Sequence, residues 1–154
     1  MISDHAYARL SILLPARTLR ALGRLNVPVY RITRGRLMNK VGRAPVMLLT
    51  TTGRHSGQPR TAPVVYGSDG ERLIVISSNG GNRNAPGWSY NLKANPDAEV
   101  EIAGERRQVR ARVLEGDERA RVWRTMNELY RGFDDYDANV AREIAVFALE
   151  PAGA

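Results

Sequence analysis

The spacing of apolar positions changes once along the chain, from helical to strand-like. Across residues 3–25, Ala6, Leu10 and Leu13, then Leu19, Leu22 and Leu25, recur at helical spacing, while Arg17, Arg20 and Arg24 fall opposite them. This predicts an amphipathic helix kinked at Pro15. From Val46 the pattern shifts to short Val-, Ile- and Thr-rich runs bounded by Gly and Asp, the signature of strands. Six are expected: Val46–Thr52, Arg60–Gly67, Glu71–Ser78, Ala98–Ala103, Glu105–Glu115 and Glu143–Glu150. Their short connections, HSGQP, SDG and AGE, contain Gly, as antiparallel hairpins require. Two helices interrupt the strands. Pro86–Ala94 starts at a proline and stops before Pro96; Asp117–Arg131 has acidic residues in its first turn and Val122, Met126, Leu129 and Tyr130 at helical spacing.

Sequential antiparallel strands with helices across the openings predict an α+β, mainly β architecture, a six-stranded antiparallel barrel. A doubly wound fold is disfavoured, because the first three strands leave no room for crossover helices. The expected organisation is an N-terminal amphipathic helix over 1–25 and a barrel over 26–151.

Composition narrows the chemistry. The 154 residues are 43% hydrophobic, enough for one domain with a buried core, and the 14 glycines and 8 prolines are spread along the chain rather than clustered. Without cysteine there is no disulfide, no thiolate nucleophile and no Cys-based zinc site. His5 and His55 lie too far apart to form a local metal motif, so no metal is expected. The formal charge of +7 predicts an anionic partner, which is nucleic acid, a lipid surface or an acidic ligand. No apolar run approaches the roughly 18 residues of a membrane span. We therefore expect a cytoplasmic protein whose N-terminal helix either packs its Leu stripe on the barrel or a second chain, or meets the anionic inner face of the membrane.

Candidate chemistry gathers in three places. No Ser, His and Asp group as a triad and no paired carboxylates sit in an apolar setting, so an enzyme of this composition needs a cofactor for the difficult step. Arg54, His55 and Arg60 bracket a Ser56-Gly57 turn whose donors can converge on phosphate or carboxylate oxygens. By spacing alone that turn reads equally as a solvated hairpin, a nucleic-acid patch or a cofactor cradle. Residues 77–96, SSNGGNRNAPGWSYNLKANP, join a strand end to a helix carrying Trp88, Tyr90 and Asn91; Gly80 and Gly81 admit close approach of a flat ligand, and Trp88 serves as its wall or as a core anchor. Tyr130, Phe133 and Tyr136 recur every third residue, so their rings line one helical face or a loop edge, with aromatic packing as the plain reading. Nucleic-acid binding is the weaker reading, since the Arg-rich strand ERRQVRAR lacks the interleaved aromatics of a stacking platform.

Taken together, LLTTTGRHSGQPRTAPVVY, SSNGGNRNAPGWSYNLKANP and the terminal YRGFDDY and FALEP resemble the deazaflavin-dependent nitroreductase family, split β-barrels of the FMN-binding kind that use the 8-hydroxy-5-deazaflavin coenzyme F-420. The resemblance runs from about Asn26 to Pro151. It implies an F-420-dependent oxidoreductase of the nitroreductase or quinone reductase type, passing hydride to a quinone, an activated alkene or a nitroaromatic. Arg54, His55, Ser56 and Arg60 would hold the phosphate and oligoglutamate tail. Thr61, Ala62, Pro63, Val64, Val65, Tyr66, Ile76, Ser77, Ser78, Asn79, Trp88 and Asn91 would line the rest of the cofactor site. Tyr130, Phe133 and Tyr136 would contact substrate, with Ser78, Tyr130 and Tyr136 as candidates for catalysis. Departures from relatives are His55 and Asn79, each where a Lys is found, and Phe133 in place of a Tyr. A flavin mononucleotide oxidoreductase on the same barrel is the alternative, and monomer and homodimer both remain open.

Overall fold

The computed structural model describes residues 16–41, 43–79, 83–130 and 142–152. Helix α1 (Ala16–Ile32) leads into β1 (Lys40–Val41), β2 (Ala44–Thr52), β3 (Pro59–Asp69) and β4 (Arg72–Ile76). Helix α2 (Gly87–Ala94), strands β5 (Asp97–Ile102) and β6 (Glu105–Val113), helix α3 (Gly116–Leu129) and β7 (Val146–Pro151) complete the order. All strand pairs are antiparallel. The order β2-β3-β4-β7-β6-β5 is closed by pairing of β5 with β2, giving a six-stranded barrel to which β1 adds a short extra strand. The barrel is the expected one, and β1 is an addition: two residues carry no periodicity to detect.

Two apolar layers follow from the alternation of strand side chains. Along β4, Leu73 and Val75 point into the barrel with Met47, Leu49, Phe147 and Leu149. Ile74 and Ile76 point outward and pack with Val122 and Met126 of α3, beneath which Tyr130, Val146 and Ala148 also lie. Trp88 of α2 packs against the inner layer, its ring edge-on to Phe147 at 5.9 Å.

Helix α1 continues to Ile32, past the expected end at Leu25 and through Pro28. An internal proline removes one helical hydrogen bond and crowds the turn before it. Anchoring of the last turn offsets that. Tyr30 is buried, donates to the Glu101 carbonyl at 3.4 Å and accepts the Ala103 N–H at 3.4 Å. Beyond it, Gly35 N–H reaches Tyr30 O at 2.8 Å and Arg34 N–H reaches Arg31 O at 3.1 Å, with both residues at positive φ, a Schellman-type stop. Residues 3–15, including the Pro15 kink, lie outside the described residues, as do the side chains of Leu19, Arg20, Leu22 and Arg24. No described helix is long and apolar enough to cross a membrane.

One irregularity positions the site. The β3–β4 ladder runs only from Asp69↔Arg72 to Tyr66↔Val75, while β3 stays paired with β2 all the way to Pro59. The chain after Ile76 turns instead to the segment before β7: Ser77 N–H meets Ala145 O at 2.9 Å, and the Ser77 hydroxyl both donates to Ala145 O and accepts the Ala145 N–H. Hence β4 ends at Ile76, short of the expected Ser78, and β7 starts at Val146 rather than Glu143. The barrel wall is split between residues 59–65 and 77–79. Pro63 sits on that unpaired edge, where its missing N–H is no loss.

Candidate functional site

The end of the barrel holding the split also collects the end of β2, the start of β3 and helix α2. The turn joining β2 to β3 is closed by Gly53 N–H to Gln58 O and Gly57 N–H to Gly53 O, both 2.8 Å, with Gly57 at φ 69°. Ser56 Oγ accepts the Gln58 N–H at 3.1 Å and Arg60 Nη2 at 3.2 Å. A Cβ at Gly53 would stand 2.5 Å from that oxygen and 3.2 Å from the Gln58 carbonyl, so a larger residue there has to displace the Ser56 hydroxyl from its bonds. Arg54 is fixed from α2. Asn91, 4% exposed, accepts the Arg54 N–H at 3.1 Å and Nη1 at 3.4 Å, and donates from Nδ2 to Thr51 Oγ1 at 3.0 Å. The Arg54 guanidinium also stands 4.8 Å from the Tyr90 ring centroid, within cation–π range. The structure gathers Arg54, Ser56, Arg60 and Asn91 at this turn, together with two residues that sequence spacing missed: Gly53, which closes the turn, and Thr51, whose role depends on Asn91 forty positions away.

Across the split, Ser77 and Ser78 are both buried, and their carbonyls accept Arg142 Nη2 at 2.9 and 3.0 Å. Ser77's hydroxyl is committed to Ala145. Asn79 takes φ 49° and donates to Asn84 O at 2.7 Å. On the β3 side, Thr61 shares a 2.8 Å hydroxyl contact with Thr50, and Ala62 and Pro63 are half-buried. Val64 is buried in the inner layer, where Tyr66 also packs, and burial pushes the Tyr66 phenol up. Val65, Ile76 and Tyr130 belong to the layer under α3, with Tyr130 only 2% exposed. Of the cofactor-site candidates, then, Arg54, His55, Ser56 and Arg60 form an exposed rim, Asn91 ties it down, and residues 61–65 and 77–79 face one another across the split. Phe133 and Tyr136 lie outside the described residues.

Charge pairing separates this rim from the basic strand β6. On β6, Arg106, Arg107, Arg110 and Arg112 each pair with a carboxylate, at 3.1, 3.4, 2.8 and 3.0 Å in their shortest contacts. That consumes the basic strand and leaves little for a nucleic-acid backbone. Among the described residues no carboxylate pairs with Arg54, Arg60 or Arg142. Arg54 and Arg60, unmatched beside a donor-rich turn, can receive an anion.

The family model for F420H(2)-dependent quinone reductases matches residues 22–151. An F420H(2)-dependent quinone reductase of Mycobacterium tuberculosis strain H37Rv is 37% identical over 130 residues, 82% of this chain and 87% of that protein. Among solved structures, an F420-H2 dependent reductase, FDR-A, superposes with TM-score 0.64 at 34% identity, covering 69% of this chain and 94% of that one. A chain solved as a domain-swapped dimer gives TM-score 0.65 at 30% identity, covering 89% of this chain and 100% of that one. This chain belongs to the F420H(2)-dependent quinone reductase family. It is an F-420-dependent oxidoreductase, and coenzyme F-420 is its cofactor, which decides against flavin mononucleotide.

The residues present fit that group. An anionic phosphate and tail need cations that no internal carboxylate neutralises, and Arg54 and Arg60 meet that need. A flat ring needs a slot with an unpaired strand edge, and the split between β3 and the segment after β4 has one.

Proposed function

We propose that the chain reduces a quinone, with the F-420 tail on the turn at 53–60 and the ring in the split beside residues 61–65. The observation that carries this is the pair of unmatched guanidiniums, Arg54 and Arg60, organised by Asn91 and Ser56. When bound, reduced F-420 supplies the hydride. The protein's own work is to fix the tail, to hold the ring against the unpaired β3 edge and to deliver a proton. Ser78 and Tyr136 are the hydroxyls proposed for substrate positioning and proton delivery, Tyr130 being enclosed in the apolar layer under α3, and Phe133 is proposed as an apolar wall for the acceptor. Activated alkenes and nitroaromatics have the same need, an electron-poor centre that accepts hydride, and are proposed as secondary acceptors.

The test is titration calorimetry with F-420, followed by turnover with a quinone. Arg54→Ala with Arg60→Ala is expected to weaken F-420 binding by roughly 100-fold, since each charge-assisted contact contributes about 1.5 kcal/mol or more. Unchanged affinity in a folded double variant would return the turn to a solvated loop.

A peripheral membrane contact of the N-terminal region is supported by the exposure of Leu25, Ile32, Leu37 and Met38 around the end of α1, in a chain that is net basic. Co-sedimentation with anionic liposomes should fall when Ile32 and Leu37 are changed to Ser. Sedimentation equal to wild type would leave those residues to a second chain, consistent with a homodimer.

A further inference from the structure

Arg142 carries two of the three buried side-chain nitrogens that lack a hydrogen-bond partner among the described residues. It lies just before β7, where Nη2 is spent on the Ser77 and Ser78 carbonyls at 2.9 and 3.0 Å. Nε and Nη1 are buried and have no hydrogen-bond partner. Arg119 makes an instructive contrast. Its Nε also lacks a hydrogen bond, but Glu143 stands 3.9 Å away, Trp123 lies 5.0 Å from its guanidinium carbon, and Nη2 donates to Ile144 O at 2.6 Å. Arg142 has no carboxylate beside it among the described residues. A buried guanidinium with idle donors costs several kcal/mol unless something anionic completes it. Desolvation holds its pKa below the ordinary arginine range, with Tyr90 acting the other way.

The position is distinct from the basic turn. Arg54 and Arg60 stand on the β2–β3 turn and are exposed; Arg142 stands at the other edge of the split, its guanidinium on the Ser77 and Ser78 carbonyls with Nε and Nη1 out of water. A phosphate or a glutamate tail suits the exposed pair, because those groups remain largely hydrated. A sheltered cation suits a flat, delocalised anion that is itself out of water. The 8-hydroxyl of a deazaflavin is conjugated through the ring to the pyrimidine carbonyls, so its ionisation gives such an anion.

We propose that Arg142 is a binding residue for the anionic ring of F-420, its Nε and Nη1 donors meeting an oxygen or nitrogen over which the ring charge is spread. This rests on the assignment of F-420 as cofactor, and it divides recognition in two: Arg54 and Arg60 hold the tail, Arg142 the chromophore. No bond is made or broken. The cation favours the ionised ring over the neutral one, so the 8-hydroxyl titrates at lower pH when bound than when free.

The probe that separates the two cation sites is the riboflavin-level deazaflavin, which has the ring and ribityl chain without phosphate or tail. Affinities of this fragment and of F-420 are measured by fluorescence titration for wild type, Arg142→Met, Arg142→Lys and the Arg54→Ala, Arg60→Ala double variant. Absorbance titration of the bound fragment reports the 8-hydroxyl pKa. Arg142→Met should bind both ligands about 10-fold or more weakly and raise the bound pKa by about one unit or more, while Arg142→Lys restores part of each. The double variant should lose F-420 affinity and keep that for the fragment. Fragment affinity and titration unchanged in Arg142→Met would overturn the inference, and so would equal losses in the Met and Lys variants with no change in the bound pKa. Failure of wild type to bind F-420 at all would instead remove the cofactor reading on which both sites depend.

Discussion

Asn91 shows how much one buried amide can organise. Its three hydrogen bonds use both ends of the amide: Nδ2 satisfies the Thr51 hydroxyl, itself 1% exposed, and Oδ1 collects two donors from Arg54. Leucine branches at Cγ as asparagine does and has none of this capacity. Asn91→Leu should therefore lower stability by about 1–3 kcal/mol, the cost of leaving buried partners unpaired, and loosen Arg54 enough to weaken F-420 binding about 10-fold. Asn91→Asp separates the two effects. It keeps the acceptor but sets a carboxylate against Arg54, so affinity should fall further than stability does. Thermal melts and calorimetry on the two variants check this; wild-type affinity in both would mean that Arg54 does not need its tether.

At the level of elements, the strands were legible because one side of each is a core. Val46–Thr52, Arg60–Gly67 and Ala98–Ala103 differ from the observed β2, β3 and β5 by no more than two residues at either end. The ends of β4 and β7 were not legible. They are set by the Ser77 hydroxyl bridging to Ala145, a contact between residues 68 positions apart that leaves no local pattern. The expected α1 ended with the Leu stripe at Leu25; the Tyr30 anchor and the Arg34-Gly35 cap that sustain the last turn depend on the distant Glu101 carbonyl and a positive-φ arginine. For the site, the turn at 53–60 was visible as a cluster of donors and cations. Arg142 was not, since in AREIAV it reads as an ordinary flank of a strand, and only the fold shows that its donors are buried and idle.

For the whole molecule, where the acids are placed decides which cations are paired. Away from the cofactor end, Asp69 binds Arg72 at 2.6 Å and Arg121 at 3.2 Å, and Glu118 binds Arg72 at 3.1 Å and Arg112 at 3.0 Å. This network ties the β3–β4 hairpin to β6 and α3. The hydrogen bond from Arg121, followed by that from Arg72, holds the Asp69 carboxyl below its ordinary range, and Arg112 does the same for Glu118. For a carboxyl whose folded pKa is depressed, the stabilisation is present above the unfolded pKa, near 4, and disappears as pH falls through the folded value. Asp69→Asn should therefore melt about 2–4 °C below wild type at pH 7, a shift typical of one partly exposed charge cluster in a domain of this size. The gap should narrow steadily below about pH 4, as the wild-type carboxyl takes up its proton. High salt at pH 7 should narrow it as well, because these side chains face solvent. Thermal melts of both proteins across pH 2.5 to 7 decide the matter. A gap that stays constant down to the lowest pH would assign the loss to packing of the Asp69 side chain, and the network would then contribute shape at this corner of the barrel rather than electrostatic stability.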